Sequence, residues 1–170
     1  MQNLSANDNV AVFSFGDTAR LESGIASGTP SALSAIDALN LASTSEQTDI
    51  GDGLLASAQT LSSDGTSNHK IIVLLTDGVP DEPTVKGQPD YPKMFAEQMA
   101  TTLKTEGITL YTIGLGSGVD ANFLQTLATD NTHYFFAPDK TTLAGIYSTI
   151  GQSLCQKKPS TIQVIYRLPQ

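Results

Sequence analysis

Apolar and polar positions along the chain follow two periods, and their alternation predicts the elements. Residues 10–15, Val-Ala-Val-Phe-Ser-Phe, form a nearly unbroken apolar run after the turn-prone Asn7-Asp8-Asn9 and predict a buried strand. A short second strand is predicted to begin over 18–20. Leu33, Ile36 and Leu39 recur at helical spacing within 31–41, and Ile50, Leu54, Leu55, Ala58 and Leu61 do so within 50–61. After a polar loop at 62–69, Ile71-Ile-Val-Leu-Leu75 is continuously apolar, as a strand covered on both faces must be. A Pro- and Asp-rich segment at 79–89 precedes a helix with Pro92 in its first turn. Phe95, Met99 and Leu103 are its expected buried stripe and Gly107 its C-terminal cap. Residues 108–115 and 133–137 read as strands. Asp120 and Asp139 are placed to cap the helices that follow them, the second with Leu143, Ile146, Ile150 and Leu154 facing inward. The tail 161–168 is β-prone, with Ile162, Val164 and Tyr166 alternating against Gln163 and Arg167.

Strands separated by helices require crossover connections, so the expected fold is α/β with a mainly parallel sheet and helices on both faces. Ligands of such sheets bind at the carboxyl ends of the strands. Two segments there carry oxygen donors. Thr76-Asp77-Gly78 closes the most apolar strand, and Thr48-Asp49-Ile50-Gly51-Asp52-Gly53-Leu54 opens a helix. A hydroxyl and a carboxylate can supply part of a Mg²⁺ shell, which is built from oxygens and retains several waters. Each motif also has a plainer reading, with Thr48 or Asp49 as an N-cap and Asp77 as a turn residue.

Taken together and in this order, the segments resemble the von Willebrand factor A family, whose metal-ion-dependent adhesion site is marked by a Thr-x-Ile-Gly-x-Gly/Ala-Leu segment and a later Leu-Leu-Thr-Asp-Gly segment. These stand here as residues 48–54 and 74–78. Residues 9–15 resemble the family's second strand, 107–116 its Gly-Ile to Gly-x-Gly strand, and 134–139 followed by Leu143 its last strand and helix. The resemblance covers about 4–155. It implies a Rossmann-like fold, an adhesion or interaction role with a protein ligand, and metal donors at Thr48 and Asp77. The family's first strand, ending in Asp-x-Ser-x-Ser, has no counterpart before Leu4, so the fold reads as incomplete at its N-terminus. The organisation expected is a truncated domain at 1–156 and a β-prone extension at 157–170. Without the Asp and Ser donors, Mg²⁺ or another divalent cation is expected to bind weakly or not at all in this chain, unless Asp49 or Asp52 replaces them. The absent strand is central in the family's sheet, so two interior strand edges are expected to lie unpaired. Because its polar alternation suits such a slot badly, the tail is expected to belong to a neighbouring β-rich domain or stalk. The expected consequences are a strand-exchanged homodimer, a poorly stable monomer or an empty slot.

The remaining chemistry narrows the field. A net charge of −8 argues against nucleic-acid binding. No apolar run is long enough to span a bilayer. The first residues lack a basic segment and an apolar core, so the expected location is extracellular or at the cell surface as part of a longer chain, with a cytoplasmic one as the alternative. Asp77-Gly-Val-Pro80 also matches the phospho-acceptor surroundings of a receiver domain, but Gly16-Asp17 offers one acid where a receiver has a pair. An intracellular assembly factor of the same family is a further alternative. Gly114, Gly116 and Gly118 are spaced for a loop and not for a dinucleotide. His69, His133, Ser14, Ser153 and Cys155 lie in no catalytic pattern, and no enzyme activity is expected. The resemblance places the single cysteine, Cys155, where extracellular members pair with a cysteine before the first strand; a partly buried free thiol is the other reading. Residues 79–91 form the most individual loop and are the expected contributor to recognition.

Overall fold

A computed structural model describes residues 8–27, 30–38, 47–65, 69–155 and 160–166. The elements run β1 (Asn9–Phe15), β2 (Ala19–Ser27), α1 (Pro30–Ala38), α2 (Ile50–Ser63), β3 (His69–Thr76), α3 (Tyr91–Thr105), β4 (Thr109–Leu115), α4 (Ala121–Leu127), β5 (Tyr134–Ala137), α5 (Lys140–Cys155) and β6 (Ser160–Tyr166), with a 3₁₀ turn at Asn131–His133. They build one six-stranded sheet of order β2-β1-β6-β3-β4-β5. β2 pairs antiparallel with β1; every other pairing is parallel.

Strand alternation sends the side chains to two cores. Ala11, Phe13, Ile72, Leu74, Leu110 and Ile165 face α2, α3 and α4, meeting Leu54, Leu61, Leu103 and Leu124. Val10, Val12, Ile71, Val73, Ile113, Ile162 and Val164 face the other way, toward Ala32 of α1 and Ile146, Ile150 and Leu154 of α5. The residues of 71–74 are all buried, as a strand enclosed on both faces requires. Asp120 and Asp139 accept hydrogen bonds from the Phe123 and Thr142 N–H groups and so cap α4 and α5. Gly107 closes α3 with a φ of 77°.

Several expectations are corrected. β2 is a nine-residue strand, not a stub near 18–20. The buried residues of α3 are Pro92, Ala96, Ala100 and Leu103, while Phe95 and Met99 flank that stripe. Small residues let α3 lie close to the sheet, and the bulky ones turn toward α2. Leu33 is 44% exposed and Ala32 is the buried anchor of α1; Leu39 lies outside the described residues.

The largest correction concerns the sheet's centre. The tail is neither a stalk nor an appendage here: β6 occupies the position between β1 and β3, parallel to both. Val10, Ile162 and Ile71 align across the three strands, as do Phe13, Ile165 and Leu74. The two interior edges expected to be unpaired are thus closed by the chain's own last strand. Exposed ladders on both β1 and β3 would leave rows of unsatisfied N–H and C=O groups, which outweighs the side-chain mismatch that β6 brings.

Candidate functional site

The carboxyl ends of the parallel strands converge with the start of α2. The turn after β1 is tied to that start, since the Asp49 N–H donates to the Gly16 carbonyl at 2.8 Å and the Ala19 N–H donates to Asp52 Oδ2 at 2.6 Å. Asp49 is the N-cap of α2, its Oδ1 accepting from the Asp52 N–H at 2.8 Å. The plainer reading of this segment therefore holds for Asp49, and Asp52 is engaged in joining α2 to the hairpin.

Thr48 is brought against the loop that begins at Asp77. Its N–H donates to Asp81 Oδ1 at 2.5 Å, and its carbonyl accepts from the Asp81 N–H at 3.2 Å. One residue earlier, Gln47 Nε2 donates to Glu82 Oε1 at 2.6 Å. The loop after β3 is thus bonded twice over to the segment before α2, and Thr48 is only 2% exposed. Asp77 follows the last residue of β3, and its backbone oxygen is approached so closely by the β4–α4 loop that a Cβ on Gly118 would lie 2.9 Å from it. The roles of Asp81 and Glu82 were not legible in sequence beyond the acidic, Pro-rich character of their loop.

The two glycines of the Ile-Gly-Asp-Gly-Leu segment have a steric role. A Cβ on Gly51 would overlap the Phe95 ring of α3, and one on Gly53 would come within 3.2 Å of Ile165 in β6. They let the first turn of α2 sit down on the sheet and on α3 together.

Electrostatically the site is acidic and partly dry. Burial is the main cause that holds the Asp49 carboxyl above the ordinary carboxylate range. The charges of Asp52 and Glu82 push the same way, against the lowering effect of the Asp52 and Gly51 N–H groups. The folded state therefore binds this proton more tightly than the unfolded chain, and the wild-type protein loses stability as pH rises from the unfolded value through the raised folded one. Asp49→Asn keeps a capping oxygen but removes the charge. The variant is expected to melt above wild type at pH 7, with the gap closing as pH falls below 4, roughly the ordinary carboxylate pKa. Thermal melts across that range check it; a gap independent of pH would contradict it.

Thr48 and Asp77 offer the hydroxyl and carboxylate that a hard cation prefers. Around them, Asp81 and Asp52 already accept backbone N–H bonds and Asp49 caps its helix. Among the described residues no group of three or more His, Cys, Asp or Glu side chains is placed to hold a metal ion. The donors fit a divalent cation in kind but are few for tight binding. β6 supplies a central strand without supplying the Asp-x-Ser-x-Ser donors, because Tyr166 is followed by Arg-Leu-Pro-Gln.

The histidines lie at the opposite, amino end of the strands. His69 Nε2 is 3.2 Å from Thr109 Oγ1, and His133 Nδ1 is 2.7 Å from Asp130 Oδ1 with its ring against Tyr111. Both are accounted for by these local contacts. No helix among the described residues is long and apolar enough to cross a membrane.

A search of curated proteins found no match to the chain. Among solved structures it is similar to proximal thread matrix protein 1 from the mussel byssus. The form of that protein with a zinc-occupied MIDAS motif is 27% identical at a TM-score of 0.67, over 85% of this chain and 34% of the other. The chain thus spans about a third of that protein's length. The manganese-loaded TRAP protein of Plasmodium vivax is 24% identical (TM-score 0.65, 85% of this chain and 58% of that one), and BatB of Bacteroides thetaiotaomicron 18% (TM-score 0.71, 92% and 83%). These last two are likenesses of fold. The family model for the von Willebrand factor type A domain matches residues 1–149, and the chain belongs to that family.

Proposed function

We propose that this chain is the protein-binding, adhesion-type module of a larger surface or secreted protein. Its ligand docks at the carboxyl end of the sheet, beside a weak divalent-cation site formed by Thr48 and Asp77. The observation that carries this reading is the pair of hydrogen bonds between Thr48 and Asp81, which seats the start of α2 against the loop leaving β3. The loop that follows presents Val79 and Val85 to solvent next to Asp81 and Glu82, a mixed apolar and acidic surface suited to a protein partner. The zinc-occupied motif of the mussel protein supports a divalent cation at the corresponding place. Mg²⁺ is the cation the donors fit best in kind, because hydroxyl and carboxylate oxygens are its ordinary ligands. Catalysis is not part of this reading: the histidines stand at the far end of the sheet, bonded to local partners.

The reading is tested with MgCl₂ as the probe. A dissociation constant near 1 mM would make 10 mM Mg²⁺ stabilise the fold by about 1.4 kcal/mol, visible as a rise in melting temperature over an NaCl control of equal ionic strength. Thr48→Ala and Asp77→Ala are expected to abolish the rise. A rise of the same size in the double variant would place the cation elsewhere and overturn the assignment.

A further inference from the structure

β2 is the longest strand of the sheet and stands at its margin. It pairs with β1 on one side and with no described strand on the other. An open ladder of N–H and C=O groups invites other strands, so natural edges are kept short or are blocked with Lys and Pro. The nine residues of β2 include neither. At the other margin β5 has four residues. Leu21 of β2 is 51% exposed, the most exposed large apolar residue of the described strands. The Arg20 side chain is 79% exposed and reaches Glu22 at only 3.5 Å. Glu22 is held in place by Ser14 of β1, whose Oγ donates to its Oε1 at 2.6 Å.

The sequence Arg20-Leu21-Glu22 is self-complementary. Two copies of β2 related by a two-fold axis at Leu21 run antiparallel. Arg20 of each copy then stands opposite Glu22 of the other, and the two Leu21 side chains meet. Leu21, in register with Phe13, lies on the face that α2 covers, and Arg20, in register with Ser14, lies on the opposite face. A two-fold axis normal to the sheet keeps both faces matched. A centre at Ser23 would instead set Arg20 against Ala26 and Glu22 against Gly24, leaving both charges unpaired. We propose that the chain forms a weak two-fold dimer through its β2 edges, which joins the two sheets into one. The contact is confined to Ala19–Ser23, because the register slips at Glu22 and the resulting bulge twists the strand away beyond it. So short a contact is well under the roughly 800 Å² per partner of a stable interface, and a dissociation constant of roughly 0.1 mM is expected. Association stops at two, since the axis uses both β2 edges and β5 is too short to extend the sheet.

Sedimentation velocity of the full chain from about 10 μM to about 1 mM tests this, with circular dichroism melts to confirm that each variant is folded. The wild-type chain is expected to pass from monomer to dimer over that range. Arg20→Glu sets like charges opposite each other at both symmetric positions and should weaken dimerisation about tenfold to a hundredfold. Glu22→Arg should do the same. An equimolar mixture of the two variants should dimerise again, because one copy then offers two glutamates and the other two arginines. Should Glu22→Arg fail to fold once Ser14 loses its acceptor, Arg20→Glu alone still decides, since Arg20 projects into solvent. A wild-type chain that stays monomeric at about 1 mM would overturn the proposal. So would a dimer that Arg20→Glu leaves as tight as before, or two folded variants that do not associate when mixed.

Discussion

A chain ending at residue 159 is expected to have no cooperative unfolding transition. Removing β6 takes Ile162, Val164 and Ile165 out of the two cores, each a buried aliphatic side chain contributing roughly 1.5–3 kcal/mol. It also bares facing edges of β1 and β3, which are hydrogen-bonded to β6 along their length. The apolar loss alone approaches the whole stability of a typical domain, about 5–15 kcal/mol, and the unpaired ladders add to it. Circular dichroism melts and size-exclusion chromatography should show a broad, non-cooperative change and association through the open edges. A truncated chain that melts cooperatively within a few degrees of the full chain would show that β6 is dispensable.

Gly51→Ala is expected to destabilise the fold by about 1–3 kcal/mol, as overpacking a filled core does. The new methyl would overlap the Phe95 ring, with Cε1 at 2.6 Å and Cγ at 2.9 Å, and an aromatic ring between two helices has little room to swing away. Gly53→Ala is the matched control. Its methyl would meet Ile165 Cγ2 at 3.2 Å and Phe15 Cγ at 3.5 Å, a tight fit that the gain of about 1 kcal/mol from replacing a helical glycine largely offsets. Urea denaturation of the two variants should separate them clearly. In a Phe95→Leu background, which trims the ring, the cost of Gly51→Ala should shrink. A Gly51→Ala chain as stable as wild type would mean that α2 and α3 can part without penalty.

The strongly patterned elements were legible in sequence, and the exceptions have physical causes. The run at 71–75 announced a doubly covered strand because nothing in it is polar, and β3 is that strand. The glycine-spaced start of α2 and the Thr-Asp-Gly end of β3 were readable as a pair, since they match a family pattern in order. The buried stripe of α3 lies one position away from its largest apolar residues, because Ala96 and Ala100 are buried through smallness. The tail is legible as β-prone, but its place between β1 and β3 is not. Its alternation spoke for a strand with one wet face, and Gln163 does fit the centre badly. Sequence pattern weighs only side chains, while the closure of two long main-chain ladders decided the outcome. At the site, Thr48 and Asp77 could be named from their motifs. The Thr48–Asp81 bridge could not, because it depends on the path of the loop from 77 to 90 and not on any local period.

The proposed ligand-binding face lies where the start of α2 meets the loop leaving β3. The most direct measurement is paramagnetic line broadening by Mn²⁺ in the amide NMR spectrum, which detects even millimolar binding and reports where the ion sits. Broadening centred on residues 48–51 and 77–81, and lost in Asp77→Ala, is the predicted result. Broadening centred on Asp130 and His133 at the far end of the sheet, or unchanged by Asp77→Ala, would contradict it.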